Sequence, residues 1–325
     1  MTRTIRRLAF AAFALSALAA TLAPAAAQDY PTRAVRLYVS FPPGGGIDAV
    51  ARLFADKLSP ILGQPVVVEN RGGASGLIAG RAVAAMEPDG YSVLIASNSM
   101  IIAQLMNATP GLSIERDLLA VASVAPQANI VVTPPDLKVS SLKELIALAG
   151  QRSLNYASPG IGSVPQLLFE HLTTTIAKVK MTHVPFPGAA QALTAAMSNQ
   201  VEVSVLTLPP AVPLVKAGKL KGIAVTTPQR SAALPDVPTA IEAGYPSISS
   251  TVWTAFFVPV KTPKAIADKL SDAVLKVAAM PDIKVKLSEL GFEPTSIPGA
   301  QFQRDVAVEV TMWAGVIENA GMKPK

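Results

Sequence analysis

A short strand, a glycine turn and a helix are written into residues 35–52, and this unit limits what the chain can become. Val35-Arg36-Leu37-Tyr38-Val39-Ser40-Phe41 is rich in β-formers. Pro42-Pro43 ends the strand, and Gly44-Gly45-Gly46 opens backbone conformations closed to other residues. Helical periodicity then starts at Ile47, with Val50, Ala51, Phe54, Leu58, Ile61 and Leu62 on one face. A helix that begins after glycines presents unpaired N–H groups and the positive end of its dipole, which suits an anion. One such unit is also an ordinary structural turn, so its repetition carries the argument.

The unit recurs. Pro65 to Glu69 reads as a strand, Asn70-Arg71-Gly72-Gly73-Ala74-Ser75-Gly76 as its loop, and Leu77 to Met86 as a helix. A third strand, Tyr91 to Ala96, follows the turn Pro88-Asp89-Gly90 and ends in Ser97-Asn98-Ser99. This β-α-β-α-β order predicts an α/β fold with a largely parallel sheet, glycine loops along one edge. Val121 to Val132 reads as two extended pieces broken at Pro126, a crossing into a second domain. Ser141 with Glu144 forms a capping box. The pattern then repeats: Leu154–Ala157, the loop Ser158-Pro159-Gly160-Ile161-Gly162-Ser163, and a helix with Pro165 in its first turn. Met181–Val184, Pro185-Phe186-Pro187-Gly188 and a helix from Ala189 to Met197 repeat it again. Strands at 201–206 and 220–226 follow, and Trp253 to Val258 reads as a strand returning to the first domain. Three helices close the chain, the last near 301–319 with Trp313. No low-complexity tether separates the halves, so crossing strands are expected to join them as a hinge.

Arg3, Arg6 and Arg7 precede an apolar run from Leu8 to Leu22, and Ala25-Ala26-Ala27 is a small-residue cleavage site. Residues 1–27 therefore read as a secretory signal peptide. Without the three leader arginines the formal charge of +6 falls to +3, with no basic cluster interleaved with aromatics for nucleic acid. The chain has no cysteine, which removes thiol nucleophiles, disulfides and cysteine metal sites. His171 and His183 are the only histidines, and neither has metal-ligand spacing. Gly73-Ala74-Ser75-Gly76 resembles a nucleophile elbow, but Leu77 stands where the last glycine belongs. No dinucleotide fingerprint is complete and no Walker lysine follows any loop. An exported chain with four glycine-loop helix starts and no reactive constellation favours binding over catalysis, with no cofactor and no metal.

Longer motifs resemble one family. Tyr30 to Arg36 followed by Phe41 to Arg52, Val67 to Gly76, Pro88 to Tyr91, Ala217 to Thr226, Leu234 to Thr239, Leu290-Gly291-Phe292 and Trp313 are similar to Bug-type extracytoplasmic solute receptors. These are the binding proteins of tripartite tricarboxylate transporters. The resemblance spans essentially all of the chain after the leader. It implies a two-lobed, type II-like periplasmic-binding-protein fold, each lobe a mainly parallel sheet flanked by helices, with the ligand cleft between. Residues 28–126 and 254–300 would form lobe 1, and 127–253 and 301–325 lobe 2, the C-terminal helix packing back on lobe 2. It further implies a small carboxylate held by loop N–H groups and water, hinge closure, and delivery to a membrane permease by a periplasmic monomer.

Carried over by position, the resemblance implies ligand contacts from Phe41, Gly45, Gly46, Ile47, Asp48, Ala74, Ser75 and Ser97 in lobe 1. Lobe 2 would supply Ser158, Gly160, Gly162, Ser163, Phe186, Gly188, Ala189 and, further along the ligand, Leu206. Asp48 also has a role without ligand, as an acid complementing its helix dipole. The chain departs from the family pattern: Ile47 replaces threonine, Leu77 asparagine, Gln166 histidine, Pro187 a basic residue and Leu206 an acid. A drier cleft without an acid for an ammonium group points to a monocarboxylate or aromatic acid. Two rivals remain at this level: a receptor that signals to a membrane sensor, and an exported hydrolase or isomerase using Ser75 or Ser163 with a nearby base.

Overall fold

The computed structural model describes residues 30–319; the signal-peptide reading and the last six residues lie outside them. Within residues 1–32 the described part is Tyr30-Pro31-Thr32, with a cis bond before Pro31. The rest belongs to one unit, Arg33–Lys325.

In chain order its first elements are β1 (Val35–Val39), α1 (Gly46–Leu62), β2 (Val66–Asn70), α2 (Leu77–Ala84), β3 (Ser92–Ser97), α3 (Ser99–Leu105) and the single turn α4 (Ile114–Asp117). Then come β4 (Leu118–Thr133), α5 (Leu142–Gln151), β5 (Leu154–Ser158), α6 (Val164–Glu170) with a π-helical turn over His171–Ile176, β6 (Met181–Pro185), α7 (Ala189–Met197) and β7 (Val203–Thr207). The chain continues through α8 (Val212–Lys216), β8 (Lys221–Val225), β9 (Thr251–Pro259), α9 (Lys264–Ala279), α10 (Pro281–Leu290), β10 (Ser296–Pro298) and α11 (Gly299–Asn319).

The strands run β2-β1-β3-β9-β4-β7-β5-β6, with β8 and β10 also paired to β4. β1 is parallel to β2 and β3, and β5 is parallel to β6 and β7. These two parallel ends are the cores of the two lobes. Their connecting helices cover the sheet faces, so the loops after β1, β2, β5 and β6 gather at strand C-termini as the sequence predicts.

The join is the 16-residue strand β4. It pairs antiparallel with β9 over Leu118–Ala128 and with β7 and β8 over Asn129–Thr133. The expected break at Pro126 is present as a shift of register between Val124 and Gln127, with Ala125 at φ 48°. One bent strand thus replaces two separate pieces. A bulge re-aims a strand without severing its ladder, which suits a hinge.

The C-terminal helix corrects an expectation. Phe302, Val306 and Trp313 of α11 share a buried cluster with Leu94, Met100, Leu77 and Phe257 of the first lobe. Phe302 meets Trp253 edge-on at 5.0 Å. Glu309 accepts hydrogen bonds from Asn98 Nδ2 at 2.9 Å, Trp313 Nε1 at 3.0 Å and Trp253 Nε1. The physical cause lies in the returning strand: β9 brings Trp253 and Phe257 to the first lobe, and the helix buries its aromatics against them.

Candidate functional site

Asp48 builds the first loop. Its Oδ2 accepts from Gly44 N (3.1 Å) and Arg52 Nε (3.1 Å), and its Oδ1 accepts from Arg52 Nη2 (3.0 Å) and Asn70 Nδ2 (2.9 Å). Asn70 Nδ2 also reaches the Phe41 carbonyl at 3.0 Å. Burial raises the pKa of this carboxyl, but the bonds from Arg52, Asn70 and Gly44 outweigh burial and hold it below its ordinary value. With every lone-pair direction engaged, Asp48 shapes the loop and lines neither cavity described below.

The loop ends at Gly45, the N-cap of α1, which has no side-chain cap. The first-turn N–H groups of Gly46 and Ile47 therefore have no intrahelical acceptor. A Cβ at Gly46 would stand 2.7 Å from Gln127 Oε1, so the end of that side chain from β4 would have to shift. In the second lobe Gly188 is the N-cap of α7, likewise without a side-chain cap. Gly45, Gly46 and Ile47 from one lobe and Gly188 and Ala189 from the other line a single inner cavity. Two helix N-termini thus open on one space.

That cavity measures about 40 Å³. At roughly 10–15 Å³ per water this admits about three non-hydrogen atoms, as many as a carboxylate contains. Its wall carries the hydroxyl residues Ser97, Ser99, Ser163 and Thr207, and the apolar residues Phe41, Pro42, Pro159, Pro165 and Val252. Phe41, Pro42 and Pro159 also line a wider outer cavity of about 610 Å³, together with Ala74, Ser75, Gly160, Ile161 and Phe186. Among the described residues no charged side chain lines either space. An anion placed here would meet dipoles alone.

The two lobes touch across this site. Ser75 Oγ donates to the Ile161 carbonyl at 2.6 Å, and Val164 N donates to Ser99 Oγ at 3.2 Å. Ser75 sits in a left-handed run, Gly73 to Gly76, in which Ala74 (φ 47°) and Ser75 (φ 49°) are the non-glycine members.

The glycine loop after β5 is built differently from expectation. Ser158 Oγ accepts from Gly160 N (3.2 Å) and shares a 2.7 Å hydrogen bond with His183 Nε2, whose ring stacks on Tyr156. Gly162 N donates to Gln166 Oε1 (3.1 Å), and Ser163 Oγ donates to the Gly160 carbonyl (2.8 Å). Ser158 and Gly162 frame the site and line neither cavity. Leu206 is a plain correction: it is fully buried among Ile130, Leu193 and Leu208 and never faces the cleft. The next residue of β7, Thr207, lines it instead because neighbouring residues on a strand point to opposite faces. Ser99, Thr207, Val252 and the three prolines were not foreseen. Of these, Ser99 had a signal, the polar run that ends β3.

Among the described residues neither serine of the hydrolase reading is hydrogen-bonded to a base. Ser75 and Ser163 both give their protons to backbone carbonyls. The histidine that does reach a serine, His183, holds the buried Ser158, and burial pushes its pKa down. Among the described residues no group of three or more His, Asp or Glu is placed to hold a metal, and no helix is long and apolar enough to cross a membrane.

Two parallel-sheet lobes hinged on shared strands, with helix N-termini facing one another across a closed cleft, define a two-lobed solute-binding protein. The family described as "Tripartite tricarboxylate transporter family receptor" matches residues 50–322, and the chain belongs to it. BugT of Bordetella pertussis is 32% identical over 314 residues, covering 95% of this chain and 96% of that protein. The structure of the periplasmic binding protein BugD superposes with a TM-score of 0.87 at 30% identity, covering 91% of this chain and 100% of that one. An R. palustris protein solved with adipate gives 0.87 at 35% identity over 91% of this chain and 100% of that one. The fold is therefore the periplasmic-binding-protein fold, with its cleft between lobes.

Proposed function

We propose that the protein is a periplasmic receptor, not an enzyme, that closes on one small carboxylate and delivers it to the membrane permease of a tripartite transporter. The observation that carries this reading is the facing pair of helix N-termini, α1 from one lobe and α7 from the other, on a cavity that no charged side chain lines. Backbone N–H groups at a helix start bind anions without a counter-cation. The R. palustris relative with adipate supports a carboxylate as the solute class.

The carboxylate occupies the inner cavity, and the hydroxyls of Ser97, Ser99 and Thr207 complete its hydrogen bonds. The rest of the solute passes Phe41 and Pro159 into the outer space, where Phe186 and Ile161 offer apolar surface. An ammonium group finds no acidic partner among the lining residues. The solute is thus an apolar-bodied monocarboxylate or an aromatic acid. Isothermal calorimetry against aliphatic and aromatic monocarboxylates, their primary amides and amino acids tests this, with native mass spectrometry of the purified protein to catch a retained solute. The acids are expected to bind and the amides and amino acids to fail. Tight binding of an amino acid with no response to apolar acids would refute the reading.

A further inference from the structure

The wall of the inner cavity is held from behind by the C-terminal helix. Three lining residues, Ser97, Ser99 and Val252, come from two segments: the turn between β3 and α3, and the start of β9. Backbone pairing of β3 with β9 ends at Ser97, opposite Thr254. Beyond that point side chains make the join. Asn98, between the two lining serines, donates from Nδ2 to the Thr251 carbonyl at 3.2 Å and to Glu309 Oε1 of α11 at 2.9 Å. Trp253, the residue after Val252, donates from Nε1 to Glu309 Oε2. Each of the three lining residues is therefore a direct chain neighbour of a residue tied to Glu309.

Glu309 is the acceptor for three donors. The third is Trp313 Nε1 at 3.0 Å, one turn further along α11. A carboxylate accepts on both oxygens and donates nothing, so it suits three converging N–H groups. The Asn98 amide has acceptors on its bonded side, so its NH₂ end must point there. Asn98, Trp253 and Trp313 are buried, which keeps water from replacing these bonds. Bonds of this kind, to a charged acceptor, are stronger than those between neutral groups.

We propose that Glu309 is a positioning residue for solute binding: it fixes the serine turn 97–99 and the Val252 segment to one another, and so sets where the Ser97 and Ser99 hydroxyls stand in the cavity. The inference rests on the carboxylate reading above and deepens it, since Glu309 itself lines neither cavity. The same turn carries a contact between lobes, because Ser99 Oγ accepts from Val164 N. A turn that drifts loses the hydroxyls for the carboxylate and this contact together. Holding it in place before the solute arrives spares binding the entropy of ordering it.

The test titrates hexanoate and benzoate calorimetrically into the full chain, Glu309→Gln and Val306→Ala. Glu309→Gln keeps the size of the side chain and sets an NH₂ group against at least one of the three donors. Val306→Ala removes packing from the same helix and the same buried cluster but no hydrogen bond. Glu309→Gln is expected to bind both acids about tenfold more weakly, roughly the worth of one hydrogen bond to a charged group. Val306→Ala is expected to unfold at lower urea yet bind both acids as the parent does. The chain's two tryptophans are both Glu309 donors, so intrinsic fluorescence reads this contact directly. The shift in emission on adding acid is expected to persist in Val306→Ala and to shrink in Glu309→Gln. If Glu309→Gln does not fold, Asn98→Ala is the second variant: it cuts the tie to the serine turn, leaves both indole bonds, and is expected to weaken both acids. Parental affinity in the folded variant, Glu309→Gln or Asn98→Ala, overturns the inference. So does an equal loss in Val306→Ala, which would assign the effect to stability alone. If the parent binds neither acid, nor any other monocarboxylate, the receptor reading itself falls and this inference falls with it.

Discussion

Removing the Ser75 hydroxyl should weaken solute binding without weakening the fold. Its 2.6 Å bond to the Ile161 carbonyl joins a first-lobe loop to a second-lobe loop, so it exists when the cleft is closed. A neutral hydrogen bond contributes about 0.5–1.5 kcal/mol net. Ile161 is 64% exposed. Water can therefore replace the serine at that carbonyl, and no orphan penalty is added. If the bound form is the closed form, apparent affinity scales with the closed fraction, so Ser75→Ala should raise Kd by about 2- to 12-fold.

A second variant separates the latch from the loop's backbone. Ser75 lies at φ 49°, ψ 33°. A left-handed conformation costs a non-glycine residue roughly 1–2 kcal/mol, and Ser75→Gly relieves it. That relief applies whether the cleft is open or closed. Both variants should therefore lose the same affinity by calorimetry, while Ser75→Gly alone gains stability in ligand-free urea unfolding. An unchanged Kd in Ser75→Ala would refute the latch. So would a loss seen with alanine and restored by glycine, which would assign the effect to loop conformation.

Three further outcomes follow from the same structure. Leu206→Asp should unfold the protein more easily, by about 3–5 kcal/mol in urea titration, because it buries a charge without a partner; Thr207→Asp, in the cavity wall, should instead abolish acid binding with a smaller loss of stability. Asp48→Asn should flatten the acid limb of the stability curve. The folded pKa of Asp48 is depressed, so its contribution is complete above the unfolded carboxyl value and is lost as pH falls through the folded one; urea midpoints from pH 6 down to about 3 should fall less steeply in the variant than in the parent. Trp313→Ala should cost about 3–5 kcal/mol in the same unfolding assay, since it removes a buried aromatic from the first-lobe core.

The repeated strand, glycine loop and helix were legible because proline and glycine punctuate each unit at the same place. The loops after β1 and β6 lead into the two N-termini that share the inner cavity, and Phe41, Gly45, Gly46, Ile47, Gly188 and Ala189 line it with Ser97 and Ser163. What was not legible depends on where side chains arrive from. Gly160 and Gly162 read as free donors until Ser158 and Gln166 are seen to take them. The bond from Val164 to Ser99 spans 65 residues of sequence. β7 is buried on both faces over Val203–Leu206, so no alternation marks which residue meets the cleft, and a one-residue error exchanged Thr207 for Leu206. The helix α11 shows an apolar side in its sequence but not the partner for it. That partner, Trp253 with Phe257, arrives on a strand that had itself crossed back.

A cradle made only of dipoles has a consequence for how the receptor works. A buried arginine belongs to one lobe and would hold an anion whether the cleft were open or closed. Here the donors are divided: α1 belongs to the first lobe and α7 to the second, and both line the same cavity. In the proposed binding mode an anion on the open protein meets one helix start and water. On closure it would meet both, and the water would leave. One helix dipole in a partly buried setting is worth about 1–2 kcal/mol. Gained only on closure, that amounts to roughly a 5- to 30-fold bias toward the closed form before any hydroxyl or apolar contact is counted. A ligand shifts a conformational equilibrium only by its differential affinity for the two states. Splitting the cradle between lobes turns the ligand's charge into that difference. Opening the lobes again removes half of the cradle at once, so a partner that separates them also releases the solute.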